Sequence, residues 1–193
     1  MDALELLVTR SSMPRLIEPG PTREQLAMIE AAALRAPDHM QLTPYRFYGY
    51  RGEGRQQLSQ LFASAAKARG DDEVAVNHAA QLPFRAPLLI AAVMQHQPHD
   101  KVPWIEQICS TAAAVMAMQQ ACFAQGLGAI WRTGWLAQDE LVRTELGLAE
   151  DDELIGFLYV GTPAVPTPVK PAREASGVFQ WFDSTRKGDS GAD

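Results

Sequence analysis

The sequence predicts an α+β fold with helices packed on a small sheet, and three observations support this prediction. Residues 88–94 (LLIAAVM) and 154–160 (LIGFLYV) are continuous apolar runs of strand length, typical of strands buried on both faces. Residues 104–125 contain no Gly or Pro and are rich in Ala and Met, which favours one long helix. The helices and strands are interspersed but do not repeat as regular βαβ units, so the expected class is α+β.

Four shorter helices follow from capping signals and apolar spacing. Residues 2–9 carry a short apolar stripe, and a capping box at Thr22–Gln25 begins a helix that should end before Pro37. Apolar residues at helical spacing between 58 and 65 indicate a third helix, and residues 139–146 indicate a fourth. Each of these helices has one apolar face that can pack on the sheet.

Two further strands are predicted on either side of the long helix. Residues 46–50 (RFYGY) are aromatic and lie between Pro44 and Gly52, and residues 129–131 follow the long helix directly. In that long helix, small or apolar residues occupy nearly every face from 112 to 117. A helix without a polar side is buried, and a chain of 193 residues has little room to enclose it, so this helix predicts the core of a dimer.

Composition excludes several functions. With 17 Lys and Arg against 23 Asp and Glu, the net charge is −6, so no nucleic-acid partner is expected. No uncharged apolar run reaches the length of a membrane span, and MDALELLVTR lacks the apolar core of a signal peptide. The two cysteines, Cys109 and Cys122, fit reduced thiols in a cytoplasmic protein, and the absence of any C-x2-C pair predicts no metal site. One domain is expected over residues 1–182, followed by a disordered tail at 183–193.

The common hydrolytic motifs are missing. There is no G-x-S-x-G, no H-E-x-x-H and no P-loop, and the four histidines include no i, i+4 pair on a helix. The run Gly126–Gly128 follows a helix and precedes a strand, which is the reverse of a dinucleotide-binding turn. We interpret it as a glycine helix stop.

Three polar clusters remain as candidate sites. Arg10, Ser11 and Ser12 place a guanidinium and two hydroxyls at a helix end, a combination suited to a phosphate. Residues 35–47 (RAPDHMQLTPYRF) form an extended loop held by two prolines and rich in polar groups that could meet the edge of a planar ligand. Residues 131–134 (WRTG) place an aromatic ring and a cation directly after a buried strand, a natural position for an anion.

These clusters resemble, in order along the chain, motifs of the FMN-dependent nitroreductases. Residues 36–47 are similar to the A-P-S-A-x-N-x-Q-P-W-x-F segment of that family, residues 121–134 to its G-x-G element, and residues 156–163 to its closing strand and G-x-P turn. Arg10 to Ser12 occupy the place of its first phosphate motif. The match extends from about residue 3 to 163, and two of its segments, 35–39 and 131–134, resemble a compact branch of the family.

The resemblance implies an intertwined homodimer with a small, mainly antiparallel sheet and FMN at the subunit interface. Arg10, Ser11 and Ser12 would hold the FMN phosphate and ribityl chain, and Arg132 and Thr133, with the backbone around Trp131, would complete the phosphate and ring contacts. Arg35 and His39 would reach a flavin lying mainly on the partner, and His39 is a candidate proton donor. An aromatic arm at residues 178–182 would pack on the partner.

The implied activity is ping-pong transfer of hydride from NAD(P)H through FMN to nitroaromatic, quinone-like or similar flat acceptors. One departure concerns Ser11, which replaces the second cation of the family motif, so that the phosphate would depend more on Arg132. Two other hypotheses stay open. The chain could be a flavin-binding storage or redox-partner protein with little turnover of its own, or a helical interaction dimer without any cofactor.

Overall fold

Two apolar strands form the centre of the sheet. The computed structural model describes residues 2–166, 171 and 177–181, and within them five strands form one sheet. Their bounds are β1 (Leu16–Ile17), β2 (Tyr45–Arg51), β3 (Leu88–Met94), β4 (Gly128–Arg132) and β5 (Glu153–Pro163). The order is β1-β5-β3-β2, with β4 also paired to β5, and every pairing is antiparallel. The α+β class and the antiparallel sheet are therefore confirmed.

Seven helices surround this sheet in the described residues. They are α1 (Ala3–Thr9), α2 (Arg23–Ala33), α3 (Gly54–Ala68), α4 (Glu73–Gln81), α5 (Trp104–Ala124), α6 (Trp135–Gln138) and α7 (Glu140–Glu145). The predicted capping box is present, since the Thr22 hydroxyl accepts from the Gln25 amide and the Gln25 side chain accepts from the Thr22 amide. The sequence interpretation missed α4, α6 and β1. Strand β1 is only two residues long, and the apolar positions of α4 include Val74, which is exposed.

The sheet separates two apolar cores. On one face α3 and α4 pack over β3 and β5, and the Phe62 ring meets the Phe157 ring edge-on at 5.2 Å. On the other face α2 and α5 pack over the same strands through residues such as Ile29, Val115 and Met118. Because both faces are covered, every residue of β3 is buried, as its continuous apolar run predicts.

Helix α5 buries one face in this chain and leaves another partly open. Val115 and Met118 point into the core, whereas the small-residue face at 112, 113, 116 and 117 is only half-buried. The predicted helix stop is confirmed: Gly126 has φ 76°, and the Leu127 amide donates to the Cys122 carbonyl at 2.9 Å.

Two further apolar elements lie uncovered in the single chain. Helix α1 is present as predicted, but its stripe of Leu4, Leu7 and Val8 is mostly exposed, and none of its residues is buried. Val178, Phe179 and Trp181 of the predicted arm are also exposed, and the Phe179 and Trp181 rings stack at 6.0 Å. Phe182 and the predicted tail at 183–193 lie outside the described residues. The helices that are described include none with the length and apolarity needed to cross a membrane.

Candidate functional site

The first predicted cluster lies against the start of β4. The Met13 amide donates to the Ala129 carbonyl at 3.0 Å, which fixes the chain after α1 along the free edge of that strand. Gln119 of α5 contacts both the segment after α1 and β4. Its side-chain amide donates to the Ala129 carbonyl oxygen at 3.1 Å and lies 3.3 Å from the Ser12 hydroxyl oxygen. Helix α5 therefore positions Arg10 to Ser12 beside the strand that carries Arg132.

These residues hold buried donors without partners. Four buried side-chain polar atoms lack a hydrogen-bond partner in the described part of the chain, and three of them are Arg10 Nη1, Ser11 Oγ and Arg132 Nε. Ser11 is 2% exposed, so bulk solvent does not reach its hydroxyl. A buried unsatisfied donor costs about 1–3 kcal/mol, and native structures contain few of them. Three of the four lie in the two clusters that the sequence indicated for a phosphate.

Arg132 lies beside a buried phenol. Its guanidinium carbon is 5.8 Å from the centroid of the Tyr159 ring, and Tyr159 pairs with Ile130 across β4 and β5. The guanidinium thus lies beside the middle of β4. Burial raises the pKa of Tyr159, while the positive charges of Arg132 and Arg85 act in the opposite direction. The surroundings of this phenol are therefore electropositive.

The turn after β4 opens into a cleft. Thr133 and Gly134 line a cavity of about 530 Å³, together with Trp104 and Ile108 of α5 and with Ile155. Gly134 has φ 115°, which a side chain would make unfavourable. Its lining also includes Gln138 and Glu153, and a cleft that combines apolar side chains with a few polar groups is the usual form of a small-molecule site.

Gly156 lets the strands close around this turn. It has φ 130°, lies beside a register irregularity in the pairing of β3 with β5, and an added Cβ would come within 2.5 Å of the Arg132 carbonyl oxygen. The Trp131 indole N–H donates to the Ile155 carbonyl at 3.2 Å, which fixes that ring. Glycine at 156 is therefore required for the close approach of the Trp131–Thr133 backbone.

The loop cluster has a different geometry from the one expected. The sequence interpretation treated Asp38 as one of the groups for a ligand edge, but its carboxylate accepts from two backbone amides, Leu42 at 3.1 Å and Thr43 at 2.7 Å. Both carboxylate oxygens of Asp38 therefore bond to the backbone of its own loop. His39 Nδ1 lies 2.8 Å from Glu106 Oε2, with both side chains about half exposed. Arg35 is exposed.

The structure brings some predicted residues together and keeps others apart. Ser12 contacts α5 at Gln119 and His39 contacts α5 at Glu106, thirteen residues earlier. At 1.5 Å per residue these two points are about 20 Å apart along the helix. Within one chain, the α5 contact of His39 therefore lies far from that of Ser12.

Sequence reasoning did not assign the structural roles that four residues have around this site. Gln119 and Gly156 had usable signals, since one is a polar residue inside an apolar helix and the other a glycine inside a buried strand. Asp38 and Tyr159 had none, because their roles depend on which backbone amides and side chains surround them. Among the described residues, no three His, Cys, Asp or Glu cluster as a metal site requires.

Known proteins share the sequence and the fold of this chain. The Nitroreductase family model matches residues 16–162. The chain is 49% identical over 163 residues to the Escherichia coli K12 protein named "Putative NAD(P)H nitroreductase YdjA", covering 84% of this chain and 89% of that protein. This confirms the resemblance to a compact branch of the family.

Two solved structures share the fold. The nitroreductase-like family protein from Bacillus cereus superimposes with a TM-score of 0.81 at 20% identity, covering 95% of this chain and 97% of the other. A nitroreductase from Desulfovibrio desulfuricans, solved in complex with FMN, gives a TM-score of 0.70 at 18% identity, with 94% and 97% covered. The family model spans most of the chain, and YdjA is similar over most of both lengths. The chain therefore belongs to the nitroreductase family.

Proposed function

We propose that the protein is an FMN-dependent NAD(P)H oxidoreductase of the nitroreductase type. The observation that carries this proposal is the set of buried, unpartnered donors on Arg10, Ser11 and Arg132 beside β4. Family membership and the naming of YdjA as an NAD(P)H nitroreductase agree with it, as does the FMN complex of the Desulfovibrio desulfuricans protein.

The donor set fits a phosphate monoester. Guanidinium N–H groups and a serine hydroxyl are the usual partners of phosphate oxygens, and charge-assisted hydrogen bonds of this kind are about twice as strong as neutral ones. Arg10 and Arg132 would neutralise the charge of the FMN phosphate, and Ser11 and Ser12 would donate from the side of α1. Binding would thus satisfy atoms that the free chain leaves buried without partners.

The ring side of the site is formed by the turn after β4. FMN, when bound, supplies hydride exchange between NAD(P)H and a flat nitroaromatic or quinone-like acceptor. The chain's own contribution is to bind and orient: Thr133 and Gly134 line the cleft, and Trp104 and Ile108 form an apolar wall of it. No side-chain nucleophile is needed for such a reaction.

The site is complete only in a homodimer. Within one chain, the α5 contacts of His39 and Ser12 lie about 20 Å apart along the helix, and we propose that the His39 facing a given flavin comes from the second copy. The uncovered stripe of α1 (Leu4, Leu7 and Val8) and the half-buried face of α5 supply the apolar surface that such a dimer would bury.

The test is the visible absorption spectrum of the purified protein, followed by FMN titration and by anaerobic oxidation of NADH and NADPH with nitro and quinone acceptors. The proposal expects bound FMN, two copies per particle and turnover with at least one acceptor. A flavin-loaded protein that turns over none of them would be the storage or redox-partner protein. A protein that takes up no FMN would be the interaction dimer.

His39 is proposed as the proton donor to the acceptor. It is half exposed, and Glu106 at 2.8 Å can hold its ring in one orientation. The His39→Ala variant should slow only the half-reaction with the acceptor. If both half-reactions keep their rates between about pH 5 and 8, the proton comes from elsewhere.

A further inference from the structure

The loop between α2 and β2 is held in a conformation that its residues disfavour. Met40, Gln41 and Thr43 have φ of 61°, 55° and 49°, although none of them is glycine. Left-handed backbone costs an L-residue about 1–2 kcal/mol, and a β-branched residue such as Thr43 is an outlier there. Something in the surrounding structure must oppose this cost at all three positions.

Asp38 provides the opposing contacts. Its two carboxylate oxygens accept separately from the Leu42 and Thr43 amides, and its backbone carbonyl accepts from the Gln41 amide at 3.2 Å. A carboxylate that accepts from backbone amides makes charge-assisted bonds, so each is worth more than an ordinary turn bond. Within the described structure, this one residue satisfies three consecutive amides of the strained segment.

The loop is tied to α5 on one side and to β2 on the other. The Ser110 hydroxyl donates to the Pro37 carbonyl at 2.7 Å, next to the contact between His39 and Glu106. The Arg46 guanidinium donates to the Thr43 carbonyl at 3.2 Å. The ends of the loop and His39 are therefore held from outside, while among the described residues it is Asp38 that accepts from the amides of Gln41, Leu42 and Thr43.

We propose that Asp38 is a positioning residue: it clamps residues 39–43 in their left-handed conformation and so sets where His39 and Gln41 stand, without itself touching the ligand. This inference rests on the proposed function, in which this loop faces the flavin bound mainly by the partner subunit. Loss of the clamp would let the three strained residues relax, and the loop would then approach the flavin in the wrong shape.

The experiment compares Asp38→Ala, Asp38→Asn and the double variant Asp38→Ala/Thr43→Gly with wild type. Asp72→Ala is the matched control. The Asp72 carboxylate likewise accepts from a backbone amide, that of Ala75 at 2.8 Å, but it does so at the start of α4. We measure the FMN dissociation constant of each flavin-free protein, its Tm, and hydrogen exchange of the peptide containing residues 40–44.

Loss of the clamp should raise the FMN dissociation constant about tenfold in Asp38→Ala, the equivalent of one lost charge-assisted hydrogen bond. Asp38→Asn keeps one acceptor oxygen and should lie between this variant and wild type. Glycine adopts positive φ without cost, so Thr43→Gly should recover most of the affinity in the double variant. Asp72→Ala should lower Tm without changing FMN binding.

Three outcomes would overturn the inference. The hydrogen-exchange rate of the 40–44 peptide could be the same in Asp38→Ala as in wild type, which would mean that Asp38 does not hold the loop in its conformation. Exchange could accelerate while FMN affinity stays within twofold, which would mean that the loop shape does not matter for the flavin. Thr43→Gly could also fail to rescue. If Asp38→Ala does not fold, Asp38→Asn decides by the same measurements. If wild type itself takes up no FMN, the proposed function fails instead, and the exchange data still decide whether Asp38 clamps the loop.

Discussion

Replacing Arg10 by Ala should weaken FMN binding without destabilising the flavin-free protein. In the free chain Arg10 Nη1 is buried and has no partner, so the guanidinium there costs free energy of folding. In the complex it would make a charge-assisted bond to phosphate, worth about 1.5–3 kcal/mol. The FMN dissociation constant of Arg10→Ala should therefore rise about 10- to 150-fold, while Tm of the flavin-free variant stays equal to or above that of wild type.

The assay is quenching of FMN fluorescence on titration with flavin-free protein, repeated with riboflavin, which lacks the phosphate. Wild type should bind FMN more tightly than riboflavin. In Arg10→Ala, the ratio of these two affinities should fall by about the same factor as the FMN affinity, because removing the arginine and removing the phosphate eliminate the same interaction. Arg55→Ala is the matched control, because Arg55 Nε is the fourth buried donor without a partner but its guanidinium bonds to the Ala86 carbonyl and faces Glu18. An Arg10→Ala variant with unchanged FMN affinity would refute this account of the site.

Three further predictions concern the dimer and the core. Val8 is 83% exposed in the single chain, so Val8→Glu should leave Tm of the subunit nearly unchanged but yield single copies by light scattering and prevent FMN uptake; a dimer that persists would contradict the role of α1. Phe62 is fully buried and packs edge-on against Phe157, so Phe62→Ala should lower the free energy of unfolding in urea by about 3–5 kcal/mol, and a loss below about 1 kcal/mol would show that this contact is not central to the core. Burial raises the pKa of the Cys122 thiol to about 12, so iodoacetamide at about pH 8 should not modify it until denaturant is added, while Cys109, which is exposed in the single chain, serves as the internal comparison. Modification of native Cys122 at a rate close to that of the denatured chain would contradict its burial.

The elements that local sequence determines were predicted accurately. The apolar run at 88–94 became β3, the Gly- and Pro-free stretch became α5, and the capping box begins α2 one residue after Thr22. These signals depend only on the periodicity and conformational preferences of neighbouring residues. The strand β1 was not predicted, because its two residues are too few to show a hydrophobic periodicity.

For the candidate site, the sequence indicated residue types but not what surrounds each side chain. Arg10, Ser11 and Arg132 were selected from residue types that bind phosphate, but nothing local revealed that their donors are buried without partners. Asp38 shows the opposite case: its residue type suggested a ligand contact, and the loop backbone consumes both of its carboxylate oxygens.

The sequence by itself determined the fold class and the family, because strand and helix periodicity and motif order are properties of the chain alone; it also indicated side chains whose residue types suit a phosphate. Only the tertiary structure showed which side-chain donors are buried without partners, that the Asp38 carboxylate accepts from its own loop, and that the α5 contacts of His39 and Ser12 lie about 20 Å apart along the helix. These facts depend on contacts between residues distant in sequence, and such contacts are set by packing of the whole chain.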